Sequence, residues 1–262
     1  MTKNKIIAVS NQKGGVGKTT TTINLSTALA ASNQRVLIID LDPQGNASTG
    51  LGIEYQDRNN SIYEVLSGVI NLESAVHQTS VPNLFIIPST VDLSGIEPEL
   101  ADQSDRAFVL KKLLTTEFTK QYDFIYIDCP PALSLLTVMA MTASQSVIVP
   151  LQCEFFALEG LSQLIKTIER VKTNLNEHLS IDGIVLTMFD KRNRLSSQVA
   201  SDVRTHLKEK VYQTMIPRNV RMSEAPSFGL PALIYDHRSK GSQAYIQLAN
   251  EILKKNKNLE AA

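Results

Sequence analysis

The sequence predicts an α/β fold: a doubly wound, mostly parallel sheet flanked by helices. Three observations lead there. Short runs rich in Ile and Val alternate along the chain with helix-patterned segments. A glycine-rich loop joins the first run to the first helix, and no repeat or linker interrupts the alternation. The 262 residues fit one large domain spanning residues 1–262, long enough to bury a substantial core.

Taken in order, residues 6–10 and 36–39 are β-branched runs that bracket a helix beginning near Lys18, with Ile23, Leu25, Ala28 and Leu29 as its apolar positions. This is a βαβ unit, which requires parallel strands. Asn60 and Ser61 are caps for a short helix over 62–67, closed by Gly68. Residues 84–87 form a strand stopped by Pro88. Residues 89–104 have acidic side chains, one Gly and one Pro but little period, so they read as loop with helical turns. A helix follows over 106–116, then a buried strand, Phe124-Ile125-Tyr126-Ile127-Asp128, broken by Cys129-Pro130-Pro131. The largely apolar 133–143 is a helix that covers the sheet, and 147–151 is the next strand. Residues 158–175 have the clearest helical stripe, with Leu161, Leu164, Ile165, Ile168, Val171 and Leu175 at three- or four-residue spacing, facing the sheet. Strands over 183–187 and 211–216 enclose a helix over 196–207, and 241–255 closes the chain as a helix. Such a sheet binds its ligands at the carboxyl edge of its strands.

Composition excludes several classes. No apolar run reaches the roughly 18 to 20 residues that span a bilayer. Residues 1–5 lead straight into a strand, leaving no room for a signal peptide, so the expected location is cytoplasmic. Cys129 and Cys153 lie in apolar surroundings without paired spacing and read as free buried thiols. Cys129 has no evident base that would make it a nucleophile. His77, His178, His206 and His237 are scattered without metal-ligand spacing. The net charge is zero but unevenly placed: residues 191–262 carry 13 Lys and Arg against 6 Asp and Glu, leaving 13 against 20 in residues 1–190. The two parts are therefore +7 and −7, a basic surface on an acidic body.

The chemistry centres on Gln12-Lys13-Gly14-Gly15-Val16-Gly17-Lys18-Thr19-Thr20. Strand, glycine loop and helix in this order make a phosphate-binding loop, in which backbone N–H groups turn inward and the helix presents its positive end. Lys18 would reach the β- and γ-phosphates of a nucleoside triphosphate, and the Thr19 hydroxyl would ligate Mg²⁺. Gln12 stands at the first glycine position of the usual pattern, and the next position holds a second lysine, Lys13. The second strand ends in Asp40-Leu41-Asp42, two carboxylates that an extended chain directs to opposite faces and so to separate tasks. Asp128 closes an apolar strand downstream of the loop, the Walker B pattern.

With these segments in place, the chain closely resembles the ParA/Soj chromosome-partitioning ATPases of the deviant Walker A group of P-loop NTPases. The likeness continues through Gln152-Cys153-Glu154-Phe155-Phe156-Ala157-Leu158-Glu159-Gly160 and Ile216-Pro217-Arg218-Asn219-Val220-Arg221 to Ser223-Glu224-Ala225-Pro226-Ser227. It thus covers nearly the whole chain. The resemblance implies ATP and Mg²⁺ as ligands, held by residues 13–20, and an ATP-dependent sandwich homodimer. Lys13 matches the signature lysine that crosses the dimer interface to the partner's phosphates. Asp42 matches the aspartate that positions the attacking water, so Lys13, Lys18 and Asp42 form the catalytic set. Thr19, Asp40 and Asp128 match positions at or near the metal, while Pro217 and Asn219 match a segment against the adenine. Glu154 matches a residue touching nucleotide across the dimer.

The resemblance also places a sequence-independent DNA-binding face at Lys191, Arg192, Arg194, Arg218, Arg221, Arg238 and Lys240. It implies nucleoid association, weak basal hydrolysis and a ParB-type centromere-binding partner that stimulates it. The chain begins at the loop-bearing strand, without the helix-turn-helix extension of larger plasmid relatives, which argues against operator-specific repression. Two alternatives make different demands. A MinD-like membrane-recruited ATPase needs an amphipathic C-terminal helix, and residues 254–262 hold Leu259 as their one large apolar residue, so no membrane partner is expected. An iron–sulfur ATPase of the nitrogenase-reductase type needs paired cluster cysteines, and Cys129 and Cys153 do not match that family's ligand positions.

Overall fold

The computed structural model describes residues 4–261. Its strands are β1 (Lys5–Val9), β2 (Val36–Asp40), β3 (His77–Gln78), β4 (Leu84–Ile87), β5 (Phe124–Asp128), β6 (Ser146–Gln152), β7 (Ser180–Phe189) and β8 (Val211–Pro217). They form one sheet in the order β3-β4-β2-β5-β1-β6-β7-β8. Every pairing is parallel except that of β3 with β4. From β1 the chain builds outward to β2 and β4 on one side, and after β5 it crosses to β6, β7 and β8 on the other. The carboxyl end of β1 is therefore the point where the strand order reverses, which is where a doubly wound sheet opens its ligand crevice.

The helices are α1 (Lys18–Ala31), α2 (Asn46–Gly50), α3 (Ile62–Leu66), α4 (Ile96–Glu99), α5 (Val109–Leu114), α6 (Leu135–Ala143), α7 (Ala157–Asn174), α8 (Arg194–Leu207), α9 (Val220–Glu224), α10 (Ala232–Tyr235) and α11 (Lys240–Ala261). Alternation along each strand divides the core into two layers. Ile6, Ala8, Leu37, Ile39, Ile125 and Ile127 face one side, with Leu110, Met139, Leu161, Leu164 and Val203 from α5 to α8. Ile7, Val9, Val36, Ile38 and Tyr126 face the other, with Leu25, Leu29, Leu248 and Ile252 from α1 and α11. Each buried Val, Leu, Ile or Met among them contributes roughly 1.5 to 3 kcal/mol relative to exposure. Helix α1 is buried on nearly every side because α11 covers it, and the Thr21 and Tyr245 hydroxyls hydrogen-bond between the two helices at 3.0 Å.

The expected strands and long helices are present, with ends moved by a few residues. Ser61 caps α3 and shares a reciprocal capping box with Glu64, and Gly68 follows at φ 78°. The stretch expected as one helix over 106–116 is a 3₁₀ turn, Arg106–Phe108, followed by α5, which stops before the β-branched Thr115 and Thr116. The last helix runs to Ala261 rather than to Lys255. Among the described residues no helix is long and apolar enough to cross a membrane. The side chain of Leu259 and all of Ala262 lie outside the described residues.

Candidate functional site

The loop between β1 and α1 encloses the sequence motif at the switch point. Gly15 and Gly17 have φ of 73° and 90°, left-handed values that bring the loop back on itself and start α1 directly after Gly17. The loop is braced from outside. Asn11 Nδ2 donates to the Pro150 carbonyl at 2.7 Å, its Oδ1 accepts from Lys13 N at 3.0 Å, and Thr187 Oγ1 donates to the Val16 carbonyl at 2.7 Å. A cavity of about 500 Å³ opens beside the loop, lined by Gly14, Gly15, Gly17, Lys18, Thr19 and Thr20 at one end and by Met222, Ala225, Pro226, Leu230, Pro231 and Ala232 at the other. Asp42 and Gln44 line it between. Its size and its contrast between a polar cradle and an apolar wall suit a nucleotide.

Lys18 is only 7% exposed, and its Nζ donates to the Lys13 carbonyl at 3.1 Å. Burial pulls its pKa down from the ordinary lysine value, against the charges of Asp128 and Asp42. A buried ammonium beside an anion cradle is poised for phosphate, which would restore its solvation. Asp128 is fully buried at the end of β5: Oδ2 accepts from Thr19 Oγ1 at 2.7 Å and Oδ1 from Thr22 Oγ1 at 3.0 Å. Asp40 is equally buried and accepts from Ser48 N at 2.8 Å and Ser48 Oγ at 2.7 Å. Burial raises the pKa of both carboxyls, and the charge of Asp40 raises that of Asp128 further. Two carboxylates and a threonine hydroxyl are oxygen donors of the kind a hydrated Mg²⁺ takes.

Asp40 and Asp42 do diverge. Asp42 lines the cavity and accepts from Gln44 N at 3.0 Å, whereas Asp40 turns away toward Ser48. Lys13 points elsewhere again: half-exposed, it forms an ion pair with Glu154 at 2.5 Å. Glu154 is followed by Phe155 and Phe156, both exposed and in edge-to-face contact with centroids 5.1 Å apart. Pro217 and Asn219 do not line the cavity. Asn219 caps α9 instead, its Oδ1 accepting from Arg221 N at 2.8 Å. The apolar wall comes from the segment just downstream, which sequence patterning left unassigned. Asn24 ties it to α1, Oδ1 accepting from Ala232 N at 2.9 Å.

The seven basic candidates are all exposed, and they follow the carboxyl ends of β7 and β8 or lie at or just before the start of α11. Arg192 grips Asp190 through Nε and Nη2 at 3.0 and 2.9 Å, and those hydrogen bonds hold Asp190 down at about 2. Arg221 pairs with Glu224 at 2.7 Å and Asp236 at 3.5 Å. Lys191, Arg194, Arg218, Arg238 and Lys240 form no ion pair with the described residues. Also among the described residues, no group of His, Cys, Asp and Glu has the arrangement of a metal cluster. Both cysteines are free and buried, and burial pushes the Cys153 thiol up to about 11 and Cys129 higher still.

Comparison with known proteins decides the family. The chromosome partitioning protein ParA of Caulobacter vibrioides is 55% identical over 258 residues, 98% of this chain and 97% of that one. The chain belongs to the ParA/Soj family of chromosome-partitioning ATPases. A family model described as an AAA domain matches residues 4–181. The sporulation initiation inhibitor protein Soj of Bacillus subtilis is 51% identical over 95% of this chain and 98% of its own. Among solved structures, cobyrinic acid a,c-diamide synthase from Mycobacterium smegmatis, with a bound ATP analogue and magnesium, superposes with a TM-score of 0.85. It is 35% identical over 97% of this chain and 96% of that one. In this ParA/Soj ATPase, Lys18 and Thr19 open α1 and Asp128 ends β5, with Thr19 and Asp128 joined by a hydrogen bond of 2.7 Å.

Proposed function

We propose that the protein is an ATP-driven DNA-segregation switch acting as one domain. ATP binding brings two copies together, the dimer holds DNA without regard to sequence, and hydrolysis releases it. The observation that carries this reading is the division of the two lysines: Lys18 is buried at the cradle, while Lys13 stands half-exposed, paired with Glu154, the residue that precedes the exposed Phe155 and Phe156. A cation and an apolar pair at one rim favour completion by a second copy.

In this reading Gly14, Gly15, Val16, Gly17 and Thr20 form the cradle with Lys18 on the β- and γ-phosphates. Thr19 ligates Mg²⁺, while Asp128 and Asp40 act through its water shell. Bound Mg²⁺ neutralises charge that develops on the phosphate oxygens. Asp42 orients the attacking water, and Lys13 of one protomer serves the partner's site as an arginine finger does. Pro217 and Asn219 support the adenine wall, and Glu154 reaches nucleotide across the dimer. Lys191, Arg192, Arg194, Arg218, Arg221, Arg238 and Lys240 contact DNA phosphates, which needs no base readout. Basal hydrolysis is weak and a ParB-type partner accelerates it, in the cytoplasm at the nucleoid.

The test is DNA retention with ATP, with ADP and without nucleotide. Retention with ATP alone is expected, and equal retention in all three states would remove the switch. Liposome flotation with ATP separates this reading from membrane recruitment; no flotation is expected.

A further inference from the structure

Arg58 follows the 3₁₀ turn Tyr55–Asp57 and is 6% exposed. A guanidinium has five N–H donors, and here all of them are engaged. Nε and Nη2 donate to the Ile53 carbonyl at 3.1 and 2.8 Å, and Nη2 also donates to Thr49 Oγ1 at 2.8 Å. Nη1 donates to the carbonyls of Gly45 and Ser89 at 3.3 and 3.1 Å. No carboxylate is among these acceptors. Burial lowers the pKa of the group, and the charge of Asp40 opposes this. Burying a cation among carbonyl oxygens costs free energy that an apolar side chain of the same volume would avoid. Packing alone does not account for it.

What the guanidinium holds is the turn that presents Asp42. Gly45 N donates to the Asp42 carbonyl at 2.8 Å, closing the turn. At its start, Asp42 N donates to Asp40 Oδ1 at 3.3 Å. At its end, Arg58 takes the Gly45 carbonyl and then Thr49, so it spans α2 from its cap to its last turn. The approach is so close that a Cβ on Gly45, at φ 63°, would lie 2.3 Å from Nη1 and 2.9 Å from the Ser89 carbonyl. Asp42, Gln44, Asn46 and Thr49 all line the nucleotide cavity. Arg58 itself does not.

We propose that Arg58 is a positioning residue for hydrolysis: by clamping the Gly45 carbonyl and the Thr49 hydroxyl, it fixes the turn that carries the Asp42 carboxylate into the nucleotide cavity. The inference rests on the reading of Asp42 as the group that orients water. A misplacement of about 1 Å at such a group can cost about 100-fold in rate while leaving ground-state binding alone. Lysine offers its donors from one point and cannot span Gly45, Thr49 and Ile53 as the fork does.

The experiment compares wild type, Arg58→Lys, Gly45→Ala, Asp42→Ala and the Arg58→Lys/Asp42→Ala double variant. Melting temperature, affinity for a fluorescent ATP analogue and single-turnover ATP hydrolysis with DNA present are measured for each. Arg58→Lys and Gly45→Ala are expected to bind the analogue within about threefold of wild type and to hydrolyse ATP about 10- to 100-fold more slowly. The double variant is expected to be no slower than Asp42→Ala alone, because one residue acts through the other. Wild-type turnover in the folded Arg58→Lys and Gly45→Ala proteins, or a double variant in which the two defects multiply, would overturn the inference. So would loss of fold and ATP binding in both single variants, which would make Arg58 a support of the fold rather than of the carboxylate. Wild-type turnover in Asp42→Ala would instead remove the reading of Asp42 on which the inference stands.

Discussion

Lys18 and Lys13 lie five residues apart in one loop, joined by a hydrogen bond from the Nζ of the first to the carbonyl of the second, yet they are held in opposite ways. Around Lys18 the groups are buried and answer one another: Asp128 holds Thr19 and Thr22, and Asn11 and Thr187 brace the loop backbone. Around Lys13 and the basic rim, the side chains are exposed, and their ion pairs with Glu154, Asp190 and Glu224 are of a kind that contributes little free energy in water. The buried half is complete within one chain. The exposed half keeps its cations where exchanging one partner for another costs little, as the proposed contacts with DNA and a second copy require.

The comparison breaks first at its buried end. Lys18→Met should weaken binding of a fluorescent ATP analogue by about 100-fold or more, near 2.7 kcal/mol, and an affinity close to wild type would mean the cradle does not depend on the buried cation. Lys13→Ala should separate the two halves. ATP affinity of the isolated chain should stay within about threefold of wild type, while ATP-dependent DNA retention falls about tenfold or more. A parallel loss of both properties would show that Lys13 belongs to the cradle.

On the rim, Arg218→Ala and Lys240→Ala should each weaken DNA binding by a similar factor on any sequence and reduce the slope of log affinity against log salt by about 1. A sequence-dependent loss would point to base readout instead. The smallest effect concerns the thiols. Cys129 and Cys153 belong to the buried half, and with Cys153 raised to about 11 both should resist alkylation at pH 8 until the chain is unfolded. Fast labelling of the native protein would mean that this half opens easily.

The same contrast explains what the sequence made legible. The sheet and its long helices follow from strongly periodic apolar runs, the loop and Asp128 follow from the phosphate-loop and Walker B patterns, and the role expected of Asp42 follows from the family resemblance. The nucleotide cavity's apolar wall was not legible, because Met222, Ala225, Pro226 and Leu230 come from short turns without period, held in place by a distant residue, Asn24. Nor was Arg58, which belongs to no sequence motif and gains its role only where the fold brings Gly45, Thr49 and Ser89 around it. The two-residue β3 and the five-residue α2 and α9 lie below the length at which a hydrophobic period can be read. Thr22 could have been found: it stands one helical turn beyond Thr19, on the face that meets Asp128.

The central claim is that nucleotide state, sensed at the buried half, governs what the exposed half holds. The most direct measurement is retention of nonspecific double-stranded DNA by wild type, Lys13→Ala and Asp42→Ala, with ATP, ADP or no nucleotide, over a series of salt concentrations. The account predicts that wild type is retained with ATP only and released steeply as salt rises, that Asp42→Ala stays bound with ATP and turns over little, and that Lys13→Ala is not retained. Equal retention of the wild type in all three nucleotide states would contradict it.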